Sequence, residues 1–275
     1  MCSFSYLLPY LFFATIAADP YDDPNTLPNR QVMVQLFEWK WKDIAAECEN
    51  FLWRYGYGAV QVSPPNEHLT LTKNNDMPWW IRYQPVSYKL NSRSGTEEEF
   101  KDMVERCNKV GVRIIVDAVI NNMAKVGLKK GIGSSGGSYF DGTEGIESFP
   151  EVPYTKEHFN DYRCKRNIIA DDIAHNVEQL RNCRNSGLLD LDQSNPHVQA
   201  KIVEYFNHLI DIGVAGFRID SKYMWPKDLK AIQSKTKNLR IDIFGPNKRP
   251  FFAHVINENG FIENIREYKD IGRSN

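Results

Sequence analysis

A chain of 275 residues, 42% hydrophobic and 25% charged, can bury a large core and is no disordered polymer. Its 34 basic against 35 acidic side chains give a formal net charge of -1. No basic run or acidic block stands out, which argues against a nucleic-acid partner or a charged tail.

The first residues read "MCSFSYLLPYLFFATIAADP": an apolar run leads into the small residues Ala14, Ala17 and Ala18. This suits a cleaved export signal over residues 1–18 and a secreted, extracellular protein, although the start carries no Lys or Arg. A membrane anchor is the alternative reading, but the run is shorter than the roughly 20 residues a spanning helix needs. No later segment is apolar enough to cross a bilayer, so no membrane partner is expected.

"QVMVQLF" (31–37) alternates like a strand, and "WKDIAAECENFLWRYG" (41–56) has helical spacing and a glycine stop. "GAVQVS" (58–63) is a second strand, followed by a long loop through "MPWWIRYQP". The helix "TEEEFKDMVERCNKVG" (96–111) carries a capping box, Thr96 with Glu99. "VRIIVDAVI" (112–120) is almost unbroken in its apolarity, as in a parallel strand buried on both faces. Residues 123–190 lose this rhythm and read as an inserted, irregular subdomain. Order resumes with the helix 195–213, the strand "VAGFRID" (214–220), the helix "PKDLKAIQSK" and the strand "FFAHVI" (251–256).

Strand–helix repeats with buried strands leave two α/β architectures, a doubly wound sheet or a (β/α)₈ TIM-type barrel. The polar residues Asn121, Arg218 and Asp220 fall at strand C-terminal ends, where barrels place their chemistry. No Gly-rich phosphate loop follows the first strand, which disfavours a dinucleotide-binding sheet. The barrel is the expected fold, divided as residues 19–122 (barrel), 123–190 (insert) and 191–275 (barrel). Five strands do not close an eight-stranded barrel, so only its N-terminal portion is expected here, with an apolar edge left open.

Cys2 lies in the signal; Cys48, Cys107, Cys164 and Cys183 permit two disulfides, in three connectivities, or free buried thiols. Their spacings match no zinc pattern.

The stretches "QVSPPNEH", "PWWIRYQPVSYKL", "RIIVDAVIN", "GLLDL", "HLIDIGVAGFRID" and "MWP" together resemble the animal-type alpha-amylases, retaining glycosidases that cut α-1,4-glucans. The resemblance runs from about Gln31 to Ile256. Retaining glycosidases work with a nucleophilic carboxylate and an acid/base carboxyl about 5–5.5 Å apart. The resemblance makes Asp220 the nucleophile, with Arg218 on the same strand face to keep it ionised and to help hold an activating chloride. It implies a calcium site of oxygen donors: the side chains of Asn121 and Asp190, and the backbone carbonyls of Arg181 and Tyr223. Trp79, Trp80 and Tyr83 match a platform on which flat sugar faces stack. The implied disulfide pairing is Cys48 with Cys107 and Cys164 with Cys183.

Four departures from the family pattern bear on activity. Asn122 stands where a histidine would hydrogen-bond the sugar at the point of cleavage. After Asp220 the chain reads Ser221-Lys222-Tyr223, one residue short, which shifts Lys222 and puts Tyr223 in place of a second sugar-contacting histidine. The acid/base glutamate is displaced: one register sets His254 near its place, another sets Glu258 there. The segment carrying the third carboxylate would lie beyond Asn275. The expected partner is an α-glucan such as starch or glycogen, bound by a monomer. The chain itself is expected to hydrolyse it little, or to be an inactive relative that keeps glycan or calcium binding.

Overall fold

The computed structural model describes residues 19–70, 78–127, 133–221, 223–255, 267–268 and 272–274. The expected signal, residues 1–18, lies outside them, as do Lys222 and Glu258. The elements in chain order are β1 (Val32–Leu36), α1 (Trp41–Glu47), β2 (Tyr57–Val62), α2 (Glu97–Lys109), β3 (Arg113–Ala118) and β4 (Asn122–Lys125). Then come α3 (Ala170–His175), α4 (Val177–Asn182), β5 (Leu188–Asp190), α5 (Pro196–Ile212), β6 (Gly216–Ile219), α6 (Pro226–Lys235), α7 (Ile241–Phe244), β7 (Phe251–His254) and β8 (Arg273–Ser274).

One parallel sheet runs in the order β1-β2-β3-β6-β7-β8, the β/α succession expected of part of a barrel. Its strands are short and rich in Val, Ile and Phe, and all six residues of β3 are buried. Alternation divides the sheet into two faces. Val60, Val62, Ile114, Val116, Phe217, Ile219 and Phe252 pack in the main core with the apolar sides of α2 and α5. The opposite face carries Ala59, Ile115, Phe251 and Ala253, and then turns polar toward the strand C-termini.

The helices stop and start where local chemistry dictates. Thr96 and Glu99 form the reciprocal capping box at α2, as the spacing implies. The Asn195 side chain accepts from His197 N at the start of α5. Gly213, in the left-handed region at φ +113, ends α5, and a Cβ there would crowd Ile243 and Asn108. The helix expected over 41–56 is instead α1 followed by a π-helical turn, Cys48–Leu52. That turn holds Cys48 at its disulfide to Cys107 of α2, with a Cα–Cα distance of 5.2 Å.

The insert is less irregular than its sequence. β4 and β5 pair antiparallel, with Asn122 opposite Asp190, and Cys164–Cys183 closes a loop that includes α3 and α4. Glu67, fully buried, pins the insert to the loop after β2. Its carboxylate accepts from Ser87 Oγ at 2.5 Å, Ser134 Oγ at 2.6 Å, Ser138 N at 2.9 Å and Gly136 N at 3.0 Å. Burial works to raise its pKa, and these donors together hold it below the ordinary value. α7 and β8 had no counterpart in the sequence pattern: four and two residues are too few to show a period.

Candidate active site

Parallel register brings three ionisable residues to the C-terminal end of the sheet's inner face. Asp117 on β3 stands opposite Arg218 on β6, and Asp220 follows Arg218 by two residues, on the same face. Arg218 Nη1 donates to Asp117 Oδ1 at 2.6 Å and to Asp220 Oδ1 at 2.8 Å. Tyr83 OH donates to Asp117 Oδ2 at 2.8 Å. Asp117 is buried, whereas the Asp220 side chain is 30% exposed. Burial, with Asp220 beside it, pushes Asp117 up to about 7. Asp117 was not among the residues the sequence singled out; a lone carboxylate inside the apolar run of β3 was the available signal.

These groups open into a cleft of about 850 Å³, lined among others by Phe37, Trp79, Trp80, Tyr83, Gln84 and Asp220. Trp79 and Trp80 are exposed, and both come from a single 3₁₀ turn, Trp79–Tyr83. Trp79 lies edge-on to Tyr83 and tilted against Phe37, with centroids 5.7 and 5.9 Å apart. Exposed rings held by other rings, around an ionised group, make a surface suited to the apolar faces of sugars. Gln35, Gln61 and Gln84 add amides that sequence reasoning passed over.

Asn122 lies in an adjoining 200 Å³ recess with Asp220, Asn121, Tyr223 and Val255. Its amide donates to Tyr83 O and Met123 O, both at 3.1 Å, so that end of the side chain braces the loop.

The acid/base candidate His254 is not brought across from Asp220. β6 and β7 pair with Arg218 opposite Ala253 and Ile219 opposite His254. His254 therefore shares the helix-side face with Ile219, and continuing the register sets Val255 opposite Asp220. His254 is 2% exposed, stacks on Tyr268 at 4.4 Å, and has no hydrogen-bond partner for either ring nitrogen among the described residues. Burial, with Arg181 and Arg218 nearby, lowers its pKa to about 3, so at neutral pH the ring is uncharged and is no imidazolium acid.

Of the expected calcium donors, Asn121 and Asp190 are in contact, Nδ2 to Oδ1 at 2.8 Å. Asn160 Nδ2 donates to Asp190 Oδ2 at 2.7 Å. Asp190 is buried and has no basic side chain within ion-pair distance among the described residues; burial pushes it up to about 8, with Asp161 and Asp192 adding to the rise. A buried carboxyl bonded only to side-chain amides, with no cation of its own, is a donor set that a hard divalent cation could take over by displacing the carboxyl proton. No cluster of three or more His, Cys, Asp or Glu side chains occurs among the described residues, so such a cation would rely on amide and carbonyl oxygens. The Arg181 side chain turns elsewhere, to Glu267 at 2.9 Å and over the Trp225 ring. Chloride fits less well: the one Arg218 guanidinium is already engaged by the carboxyl groups of Asp117 and Asp220.

Both disulfides have the pairing the resemblance implies, and no described helix is long and apolar enough to cross a membrane.

Comparison with known proteins gives a consistent family. The sequence profile of the alpha-amylase catalytic domain matches residues 70–270. Pancreatic alpha-amylase 2a5 of Mus musculus is 50% identical over 253 residues, covering 91% of this chain and 49% of the relative. Pancreatic alpha-amylase of Homo sapiens is 51% identical over 252 residues, with the same coverage. The chain thus spans about half the length of the curated relatives it matches. The crystal structure of alpha-amylase I from Eisenia fetida superposes with a TM-score of 0.84 at 41% identity, covering 92% of this chain and 50% of that one. A variant of the same enzyme, solved with maltohexaose, superposes equally well. An alpha-amylase from Geobacillus thermoleovorans, at 17% identity and a TM-score of 0.55, shares the fold alone. With the inner-face carboxylates, the partial barrel and these matches together, this chain belongs to the alpha-amylase family.

Proposed function

We propose that the cleft binds α-1,4-linked glucan of the starch and glycogen type, with Asp220 as the nucleophile of a retaining glycosidase centre. The observation that carries this is the partly exposed Asp220 carboxylate, bonded to Arg218 and opening into a cleft walled by Trp79, Trp80 and Tyr83. Arg218 orients Asp220 and favours its ionised form, and the rings hold the sugar faces over it. Asn122 and Lys222 complete the glucan contacts. When bound at Asn121 and Asp190, with the carbonyls of Arg181 and Tyr223, calcium would neutralise the buried Asp190 and tie the insert to the barrel. Residues 19–122 and 191–275 form the barrel portions and 123–190 the insert; the protein is secreted, in keeping with its disulfides, and acts as a monomer.

His254, buried on the helix-side face with Ile219, is not placed to protonate a glucan over Asp220, and losing general-acid catalysis costs about 10²–10⁴-fold in rate. The chain therefore binds glucan and hydrolyses it weakly. The test is maltohexaose affinity and starch hydrolysis by the purified chain, beside Asp220→Ala and Glu258→Gln. Measurable affinity with near-background hydrolysis is expected. Robust hydrolysis lost in both variants would restore Glu258 as the acid; no affinity at all would remove the glucan reading.

A further inference from the structure

Lys125 ends β4, is exposed, and lines the same cleft as Asp220, Trp79 and Trp80. Its place is set by contacts on both sides. Its backbone N–H donates to Gln84 Oε1 at 3.1 Å, and Gln84 is itself a cleft residue. Its stem lies across Gly187, where a Cβ would come within 2.7 Å of Lys125 Cε and 3.4 Å of Cγ. Gly187 is also at φ +82, so the position that leaves room for the lysine strongly favours glycine on backbone grounds too. The stem thus covers backbone at Gly187, and the exposed side chain reaches the cleft, in the manner of long cationic side chains.

Among the described residues no carboxylate lies within ion-pair distance of this ammonium, in contrast with Arg218, which is held by two. An uncompensated cation over a sugar-binding surface is redundant for a neutral glucan, whose hydroxyls the amides of Gln35, Gln61 and Gln84 are available to meet. It suits a glucan bearing negative charge.

Resting on the glucan reading above, we propose that Lys125 is a specificity-determining residue that selects α-glucan carrying an anionic substituent, a phosphate ester in particular, over the neutral polymer. The bond is an exposed ion pair between ammonium and phosphate oxygen, so its contribution is modest and salt-dependent.

The experiment titrates the full chain with maltohexaose and with maltohexaose bearing one 6-phosphate, by calorimetry, at about 20 mM and about 500 mM salt. Wild type, Lys125→Gln and Lys125→Arg are compared. Expected is a preference of about three- to fivefold for the phosphorylated oligosaccharide at low salt. High salt and Lys125→Gln abolish it, Lys125→Arg keeps it, and affinity for neutral maltohexaose is the same in all three proteins. Equal affinity for the two oligosaccharides in wild type, or a preference that survives Lys125→Gln, overturns the assignment while leaving the glucan cleft standing. Failure of wild type to bind either oligosaccharide overturns both.

Discussion

Replacing Asp117 by Asn should flatten the pH dependence of stability. Asp117 is buried between Arg218 and Tyr83, and its pKa is raised from the usual 3.8 to about 7, by burial first and by Asp220 second. In the unfolded chain the group ionises near pH 4; in the folded chain it holds its proton to about 7. Between those values the native state binds more protons than the unfolded state, so stability must fall as pH rises. About three pH units at about 1.4 kcal/mol each give a loss of about 4 kcal/mol across the window. From pH 5 to pH 8 the portion seen is about 3 kcal/mol, since the slope ends near 7. Asn is nearly isosteric and cannot ionise; its oxygen can accept from Tyr83, while its NH2 set against Arg218 lowers the whole profile without adding a slope. Asp190, pushed up to about 8, adds a slope of the same sign to both proteins and so cancels in the comparison. Urea unfolding followed by tryptophan fluorescence at pH 5, 6, 7 and 8 measures the difference. Parallel profiles for wild type and Asp117→Asn would show that Asp117 is not held protonated and would refute the reasoning.

Three further outcomes are expected. Trp79→Ala and Trp80→Ala should each weaken maltohexaose binding by about fivefold, the loss of one stacked ring of about 1 kcal/mol, in a fluorescence titration; an unchanged affinity would exclude that ring from the platform. Calcium at about 100 times its Kd should stabilise the chain by about 2.7 kcal/mol, read as a rise in Tm that a chelator reverses and Asp190→Asn removes; a Tm indifferent to calcium would exclude the site. The disulfides close loops with sequence separations of 59 and 19 residues. The paired changes Cys48→Ser with Cys107→Ser should therefore cost about 4 kcal/mol, and Cys164→Ser with Cys183→Ser about 3, in urea denaturation. A larger loss from the shorter loop would contradict the chain-entropy account.

Much of the scaffold was legible because its signals are local. The capping box of α2, Pro226 at the start of α6, Gly213 after α5 and the apolar run of β3 each act within a few residues. The break between α1 and its π-turn was not legible, since one extra residue in a turn barely disturbs a helical period. The Asp117–Arg218 pair was hidden for another reason: its members are 101 residues apart and meet only through strand register. His254 shows the same limit. Aligned by its neighbours it stood near the acid position, but a one-residue difference in register turns a strand side chain to the other face.

The amino-acid sequence by itself settled which residues could do chemistry here, because motif, apolar period and capping are properties of adjacent residues. It marked Asp220 and Arg218 as a pair, Trp79 and Trp80 as an aromatic step, and the strands as buried. The tertiary structure alone decided which of those groups share a space. Parallel pairing of β3, β6 and β7 placed Asp117 against Arg218 and His254 beside Ile219 on the face away from Asp220, and the fold laid Lys125 over Gly187 at the edge of the same cleft. Distance along a chain does not fix distance in space, and electrostatics depends on the latter.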